Sequence, residues 1–173
     1  NFRRIRRGET NKKGPMTDDV LWDHEQYPPD ELIPMLQSCI ELKVAYVKQY
    51  EFTKERLMNM PKGKQFEFSP NQIFGRFELF CRRITKLIEL FSTINQFKTL
   101  EKHNLEGIQP ILDTFDRYVA SFKKKNHKLL EFSINTFDRD FVEFNVGVSS
   151  VETDLQHYID RNFEVISSIE DSL

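Results

Sequence analysis

A continuous apolar seam in residues 69–100 is the feature of this sequence that most restricts its fold. The members of the seam alternate at spacings of four and three residues, which on an α-helix gathers them on one side: Ile73, Phe77, Phe80, Ile84, Leu87, Phe91 and Ile94. A second row at spacings of seven widens the seam into a face: Phe74, Cys81 and Ile88. The charged residues of the stretch are predicted to lie off this face: Arg76, Arg82, Arg83, Lys86 and Glu89. Such a helix has to pack against other helices, so the seam favours an all-α fold.

The same periodicity predicts helices at about residues 30–58, 70–101, 108–124 and 129–171. Ser69, Pro70 and Gln72 mark the start of the second helix as its cap, its first-turn proline and its capping-box residue. The last helix is predicted to be the longest, with an apolar stripe formed by Leu130, Ile134, Phe137, Phe141, Phe144, Val148, Val151, Leu155 and Tyr158. Gly147 within it is expected to weaken the helix by about 1 kcal/mol relative to alanine.

The third predicted helix is less than half as long as the last one, so part of the long apolar stripe lacks a partner of similar length. We therefore predict that residues 30–173 form an elongated antiparallel bundle of long helices, part of a larger helical rod. The chain begins with Asn1 instead of Met and ends inside a periodic pattern, and we expect it to be a piece of a longer protein. Chain beyond this segment, or another subunit, is expected to complete the row Ile159, Ile166 and Leu173.

Residues 1–29 lack periodicity and are predicted to form a basic arm and an acidic linker with little regular structure. The arm is interpreted either as an anion-binding surface or, in the favoured reading, as a solvated connector. Trp22, Tyr27 and Leu21 are candidates for tying the linker to the helices. A second basic cluster, Lys123 to Lys128, resembles a helix C-terminus, where cations meet the negative end of the helix dipole. Its alternative interpretation is a partner-binding patch, with these candidate contacts: Lys123, Lys124 and Lys125.

The composition excludes several classes of protein. The net charge of −2 argues against a dedicated nucleic-acid binder. No apolar run approaches the length of about 18 residues that a membrane helix needs, so the chain is expected to be soluble and intracellular. Cys39 and Cys81 each lie in an apolar helical pattern and are predicted to be buried, reduced thiols.

No constellation of residues in the sequence points to catalysis. The four histidines are scattered, and none pairs with another histidine or a cysteine at metal-ligand spacing. His157 lies three residues from Asp154 and from Asp160, and an ordinary surface ion pair is favoured there over a metal. We therefore predict no catalytic residue, no cofactor and no metal in this segment.

Two runs of the sequence resemble a known family. Residues 69–84, SPNQIFGRFELFCRRI, and residues 136–145, TFDRDFVEFN, are similar to the N-terminal tail of dynein heavy chains. The flanking runs Leu129 to Phe132 and Val151 to Gln156 are similar as well. The likeness covers about residues 30–173 and is closer to axonemal outer-arm chains than to cytoplasmic ones.

The resemblance implies a non-catalytic segment of the dynein stem. In that family the stem is a series of helical bundles that joins heavy chains to each other and to intermediate and light chains. It implies a cytoskeletal location in a cilium or flagellum, and it places ATP and magnesium only in a distant motor region. Two alternatives stay open: an unrelated cytoskeletal spacer, and an anion-binding module that uses the basic arm and the lysine cluster.

Overall fold

A computed structural model of the chain describes residues 22–60 and 69–171, with side chains described as far as residue 164. Within these ranges the chain forms four helices and no strand: α1 (Pro29–Met58), α2 (Pro70–Lys102), α3 (Gln109–Lys124) and α4 (Thr136–Asp171). The predicted all-α class is confirmed. The elongated rod stays a prediction, and most of the basic arm, residues 1–21, lies outside the described residues.

The predicted start of the last helix is wrong. We expected it near residue 129, but α4 begins at Thr136, and residues 128–135 form a connection of turns. Leu130 and Ile134, assigned above to the apolar stripe, are 57% and 45% exposed, whereas Leu129 is buried. The physical reason is that the carbonyl groups of this connection are bound by a side chain of α2 and are therefore not available to a helix.

The chain divides into two compact units. The first contains Asn1–Thr93 and Lys128–Asn135, and the second contains Ile94–His127 and Thr136–Leu173. That residues 30–173 act as one bundle segment stays a prediction.

The core of the first unit forms around the seam of α2. The seam is buried from Phe80 onward, and Leu32 and Leu36 of α1 belong to the same core. The rings of Trp22 and His24 lie with their centroids 5.6 and 5.3 Å from that of Phe91, so the end of the linker does contact the helices. Ile73, at the other end of the seam, is 46% exposed, so the seam extends beyond the part of α2 that is packed.

Aromatic rings dominate the core of the second unit. Phe97 from α2 stacks on Phe115 from α3, with ring centroids 3.8 Å apart. Phe122, near the end of α3, contacts three rings of α4 at centroid distances of 5.8, 6.3 and 5.5 Å: Phe137, Phe141 and Phe144. Aromatic pairs in such tilted and edge-on arrangements stabilise the fold beyond the area they bury, by about 0.5–1.5 kcal/mol each.

Gly147 allows a close approach between α3 and α4. A Cβ atom at this position would lie 2.7 Å from Cε1 of Tyr118, closer than real side-chain contacts permit. The intrinsic cost of glycine in a helix interior is therefore offset by the packing of the Tyr118 ring on the bare backbone.

We expect Gly147→Ala to destabilise the chain by about 1–2 kcal/mol, because the overpacking cost of about 1–3 kcal/mol exceeds the gain in helix propensity. Chemical denaturation measures this difference, with Ser150→Ala, at an exposed position on the same helix, as the control. In a Tyr118→Ala background the same glycine substitution should become neutral or stabilising. An unchanged penalty in that background would show that Tyr118 is not the obstacle.

Candidate interaction surfaces

Contacts along α3 and α4 fix their antiparallel register. Phe122 lies beside Phe144, and Tyr118 lies beside Gly147. At the far end, the hydroxyl of Tyr158 donates a hydrogen bond of 2.6 Å to the carbonyl of Glu106, in the turn that precedes α3. Since α4 continues to Asp171, it extends beyond Tyr158 by thirteen residues. Of these, Asp160, Arg161 and Glu164 still line a groove with the first turns of α3.

An exposed stripe follows the outer side of this region, and we call it the acidic-apolar stripe. Its members recur at helical spacing, so they share one side of α4, and all are exposed: Glu152, Gln156, Ile159, Asp160 and Phe163. Phe163 is 69% exposed and Ile159 is 50% exposed. The amide of Gln156 donates to Oδ1 of Asp160 at 2.9 Å. The stripe thus combines apolar area with carboxylates and contains no cation.

Three residues of α4 and the chain after it were predicted above to contact a partner: Ile159, Ile166 and Leu173. Ile159 lies in the stripe and is exposed, as a partner contact requires. By spacing, Ile166 falls on the same side of α4, but its side chain lies outside the described part, and so does Leu173. Their role as contacts stays a prediction.

A shallow groove of about 540 Å³ lies between α4 and the first turns of α3, and it borders the stripe at Asp160. Its lining includes Pro110, Ile111, Asp154, His157 and Arg161. Among the residues that the structure describes, no group of at least three His, Cys, Asp or Glu side chains is arranged to hold a metal ion. His157 is therefore not a member of such a metal-binding group among the described residues. It lines the wall of the groove.

The lysine cluster at the end of α3 is partly neutralised by carboxylates. Lys125 contacts Glu143 at 3.1 Å and Asp140 at 3.4 Å, and Lys128 contacts Glu131 at 3.3 Å. The hydrogen bond from Lys125 to Glu143 raises the pKa of the lysine. Lys123 and Lys124 are exposed in the last turn of α3, which ends at Lys124 as the helix C-terminus interpretation expects. The pairing weakens the cluster as an anion-binding patch.

Asp140 holds the connection after α3 onto α4. Its side chain is 8% exposed, and Oδ2 lies 2.8 Å from Nε2 of His127, whose ring packs against Phe122 and Phe137. The pKa of Asp140 is lowered mainly by this hydrogen bond and further by Lys125, while burial acts in the opposite direction. The charged carboxylate is therefore the form that the fold stabilises.

We expect Asp140→Asn to remove a pH-dependent part of the stability. Because the pKa of Asp140 is lower in the folded chain than in the unfolded chain, its contribution is present above the ordinary aspartate pKa of about 4 and is lost as the pH falls through the folded value. The difference in unfolding free energy between the natural chain and the variant should shrink from about pH 5 to about pH 2.5. Urea denaturation across this range measures it, with exposed Asp113→Asn as the control. A difference in unfolding free energy that stays constant with pH would show that the pKa of Asp140 is not lowered by folding.

Arg83 is the residue that sequence reasoning placed wrongly. It was expected to lie off the packed face, but it is 4% exposed. Its guanidinium donates hydrogen bonds to three carbonyl groups of the 128–135 connection, those of Leu129 at 2.8 Å, Glu131 at 3.1 Å and Ile134 at 2.7 Å. The ring of Phe132 lies 5.7 Å from its Cζ atom. One planar side chain with several donors thus fixes the path of the connection.

We expect Arg83→Met to destabilise the first unit by about 3 kcal/mol or more, because carbonyl groups bound by a charged donor are left unsatisfied. The neighbouring Arg82→Met is the matched control, since the side chain of Arg82 is 67% exposed and its loss should change the stability by less than about 0.5 kcal/mol. Thermal and denaturant unfolding measure both variants. Equal effects of the two substitutions would contradict the role of Arg83.

The first unit also contains a groove of about 520 Å³ between α1 and α2. Its walls include Val47 and Phe74, and the Phe74 ring meets Tyr50 edge-on at 5.5 Å. Beside the groove, Lys43 donates a hydrogen bond to Glu78, which lowers the pKa of that carboxyl group. These contacts join α1 to α2, so much of the groove wall is already engaged.

Both cysteines are free thiols in the first unit, with Cys81 buried and Cys39 partly buried. Burial raises the pKa of each thiol, which keeps it protonated and unreactive. The predicted burial is confirmed for Cys81, whereas Cys39 is only partly buried.

No helix among residues 22–60 and 69–171 combines the length and apolar character needed to cross a membrane.

Comparisons with known proteins agree with the sequence resemblance. The family described as dynein heavy chain, N-terminal region 1, matches residues 10–173. The chain is 37% identical over 163 residues to the dynein gamma chain of the flagellar outer arm from Chlamydomonas reinhardtii, covering 94% of this chain and 4% of that protein. It is 33% identical over 154 residues to dynein axonemal heavy chain 5 from Mus musculus, covering 89% of this chain and 3% of that one. It is 29% identical over 164 residues to dynein axonemal heavy chain 8 from Homo sapiens, covering 93% and 4%. The chain thus spans only a small part of the length of these relatives.

Proposed function

Because the chain belongs to the dynein heavy chain family, through its N-terminal region 1, we propose that it joins the heavy chain to other heavy chains and to intermediate and light chains. The segment is part of the N-terminal tail, a non-motor region of the heavy chain. Its axonemal and flagellar relatives indicate a location in the axoneme of a cilium or flagellum. In this proposal ATP and magnesium act elsewhere in the heavy chain, in its motor region, and this segment works without a cofactor.

The observation that carries the proposal is the exposed apolar area at the end of α4. Ile159 and Phe163 are 50% and 69% exposed, and neither lines the groove between α4 and the first turns of α3. Burying a side chain of this size stabilises a complex by about 1.5–3 kcal/mol relative to leaving it in water. A neighbouring tail segment or subunit that packs on this side would gain that free energy.

The firm packing of α3 on α4 also supports a role in assembly. The Phe122 cluster, the Tyr118 contact at Gly147 and the Asp140–His127 hydrogen bond hold the base of α4 in one register. A surface held by a rigid helix pair loses little conformational entropy when a partner binds it. Such a surface suits a structural joint that transmits force.

The two alternative functions have less support. Family membership excludes an unrelated cytoskeletal spacer. An anion-binding module would need accessible lysines at the end of α3, but Lys125 and Lys128 are paired with carboxylates.

We expect the pair of substitutions Ile159→Asp and Phe163→Asp in the full-length heavy chain to reduce its incorporation into axonemes at least about fivefold, because the two carboxylates oppose burial of the surface. Immunoblots of isolated axonemes measure incorporation. Ser150→Asp, which adds a carboxylate to the opposite side of α4, is the matched control and should be incorporated normally. Circular dichroism of the 173-residue chain checks that each variant stays helical. Normal incorporation of the double variant would overturn the proposed role of this surface.

A further inference from the structure

A single serine in this sequence is followed by proline. Of the seven prolines, only Pro70 comes directly after a serine or threonine, and that residue, Ser69, is exposed. A residue before proline is restricted to extended backbone, and proline itself has no N–H group to leave unpaired. Serine followed by proline is the acceptor sequence of proline-directed kinases. Because the motif is short, its place in the fold decides whether a kinase can use it.

The first turn of α2, which contains this motif, is not held by the core. Residues 69–73 are all exposed, and the seam of α2 is buried only from Phe80 onward. Exposed hydrogen bonds hold the turn, among them those of the capping box. The amide N–H of Ser69 donates to Oε1 of Gln72 at 2.9 Å, and the amide N–H of Gln72 donates to Oγ of Ser69 at 3.3 Å. Opening this turn uncovers little apolar area and therefore costs little free energy.

We propose that Ser69 is phosphorylated by a proline-directed serine/threonine kinase. In this step the Oγ atom of Ser69 forms a bond to the γ-phosphorus of ATP, and the bond from that phosphorus to the oxygen shared with the β-phosphate breaks. ADP leaves with the electron pair of the broken bond, and the hydroxyl proton passes to a carboxylate base of the kinase. The site lies in the first unit, so the proposal does not depend on the assembly surface of α4.

The pairing of α1 with α2 brings a cation toward this site. Lys43 donates to Glu78, and the Tyr50 ring meets the Phe74 ring, so the two helices are antiparallel. Lys54 follows Tyr50 by four residues, which places it on the same side of α1 and one turn closer to the start of α2.

The start of α2 suits a phosphate group in charge as well. Its first turn contains no acidic residue, and a phosphate at a helix N-terminus faces the positive end of the helix dipole. Lys48 of α1 lines the same groove as Pro70 and Asn71. The phosphate on Ser69 is therefore expected to bind Lys48 and Lys54 and to tie the start of α2 to α1.

Incubation of the full 173-residue chain with a mitogen-activated protein kinase, ATP and magnesium tests the proposal. We expect one phosphoryl group per chain, located on Ser69 by mass spectrometry. Ser69→Ala should abolish the reaction, and Ser69→Thr, which keeps a hydroxyl before the proline, should retain it. Pro70→Ala keeps the acceptor and should lower the rate at least about tenfold. Ser150→Ala, at an exposed helical serine, is the matched control and should leave the rate unchanged.

A synthetic peptide of residues 64–75 measures how open the site is in the folded chain. The folded chain should be phosphorylated within about a hundredfold of the peptide rate, because only the first turn of α2 has to open. A site that opens only when the whole unit unfolds would be slower by about a thousandfold or more. A folded chain more than about a hundredfold slower than the peptide would overturn the proposal, and so would an undiminished rate in Pro70→Ala.

Hydrogen exchange tests the expected tie to α1. In the phosphorylated chain the amides of residues 71–74 should exchange about tenfold more slowly than in the unmodified chain. Lys48→Gln together with Lys54→Gln should remove most of this protection and leave the phosphorylation intact. Arg82→Gln, twelve residues beyond Pro70 on α2, is the matched control and should keep the protection. Full protection in the double lysine variant would contradict the binding of the phosphate by α1.

Discussion

The packing of Phe122 among Phe137, Phe141 and Phe144 is the interaction on which the candidate surface depends. It sets the register of α3 against α4, and the register in turn determines which side chains of α4 face α3. Two further contacts keep the same register farther along α4. The ring of Tyr118 packs on Gly147, and the hydroxyl of Tyr158 donates a hydrogen bond to the carbonyl of Glu106. The exposed position of Ile159 and Phe163 is thus a consequence of aromatic packing elsewhere along the helix pair.

The helices and most of the core were predictable from the sequence, because spacings of three and four residues report directly on helix faces. Phe91 and Phe144 were both assigned correctly to buried faces on this basis. The same reasoning cannot find where a helix begins when a distant side chain competes for its carbonyl groups. The partners of Arg83 lie 46 to 51 residues away along the chain, so no local pattern reveals them.

One signal for Arg83 was nevertheless present. It lies seven residues before Leu90 and fourteen before Phe97, and all three are buried, so it begins a heptad row that we did not consider. The row that we did consider is less buried, since Phe74 and Ile88 are only partly covered. The charge of Arg83 suggested solvent, but its guanidinium was needed inside to bind backbone carbonyl groups.

The central claim is that a partner covers the end of α4 in the assembled tail. Hydroxyl-radical footprinting of Phe163, in the isolated 173-residue chain and in intact dynein arms, tests it without any substitution. We predict rapid oxidation of Phe163 in the isolated chain, where its side chain is 69% exposed, and strong protection in the assembled arm. Equal oxidation of Phe163 in both states would contradict the claim.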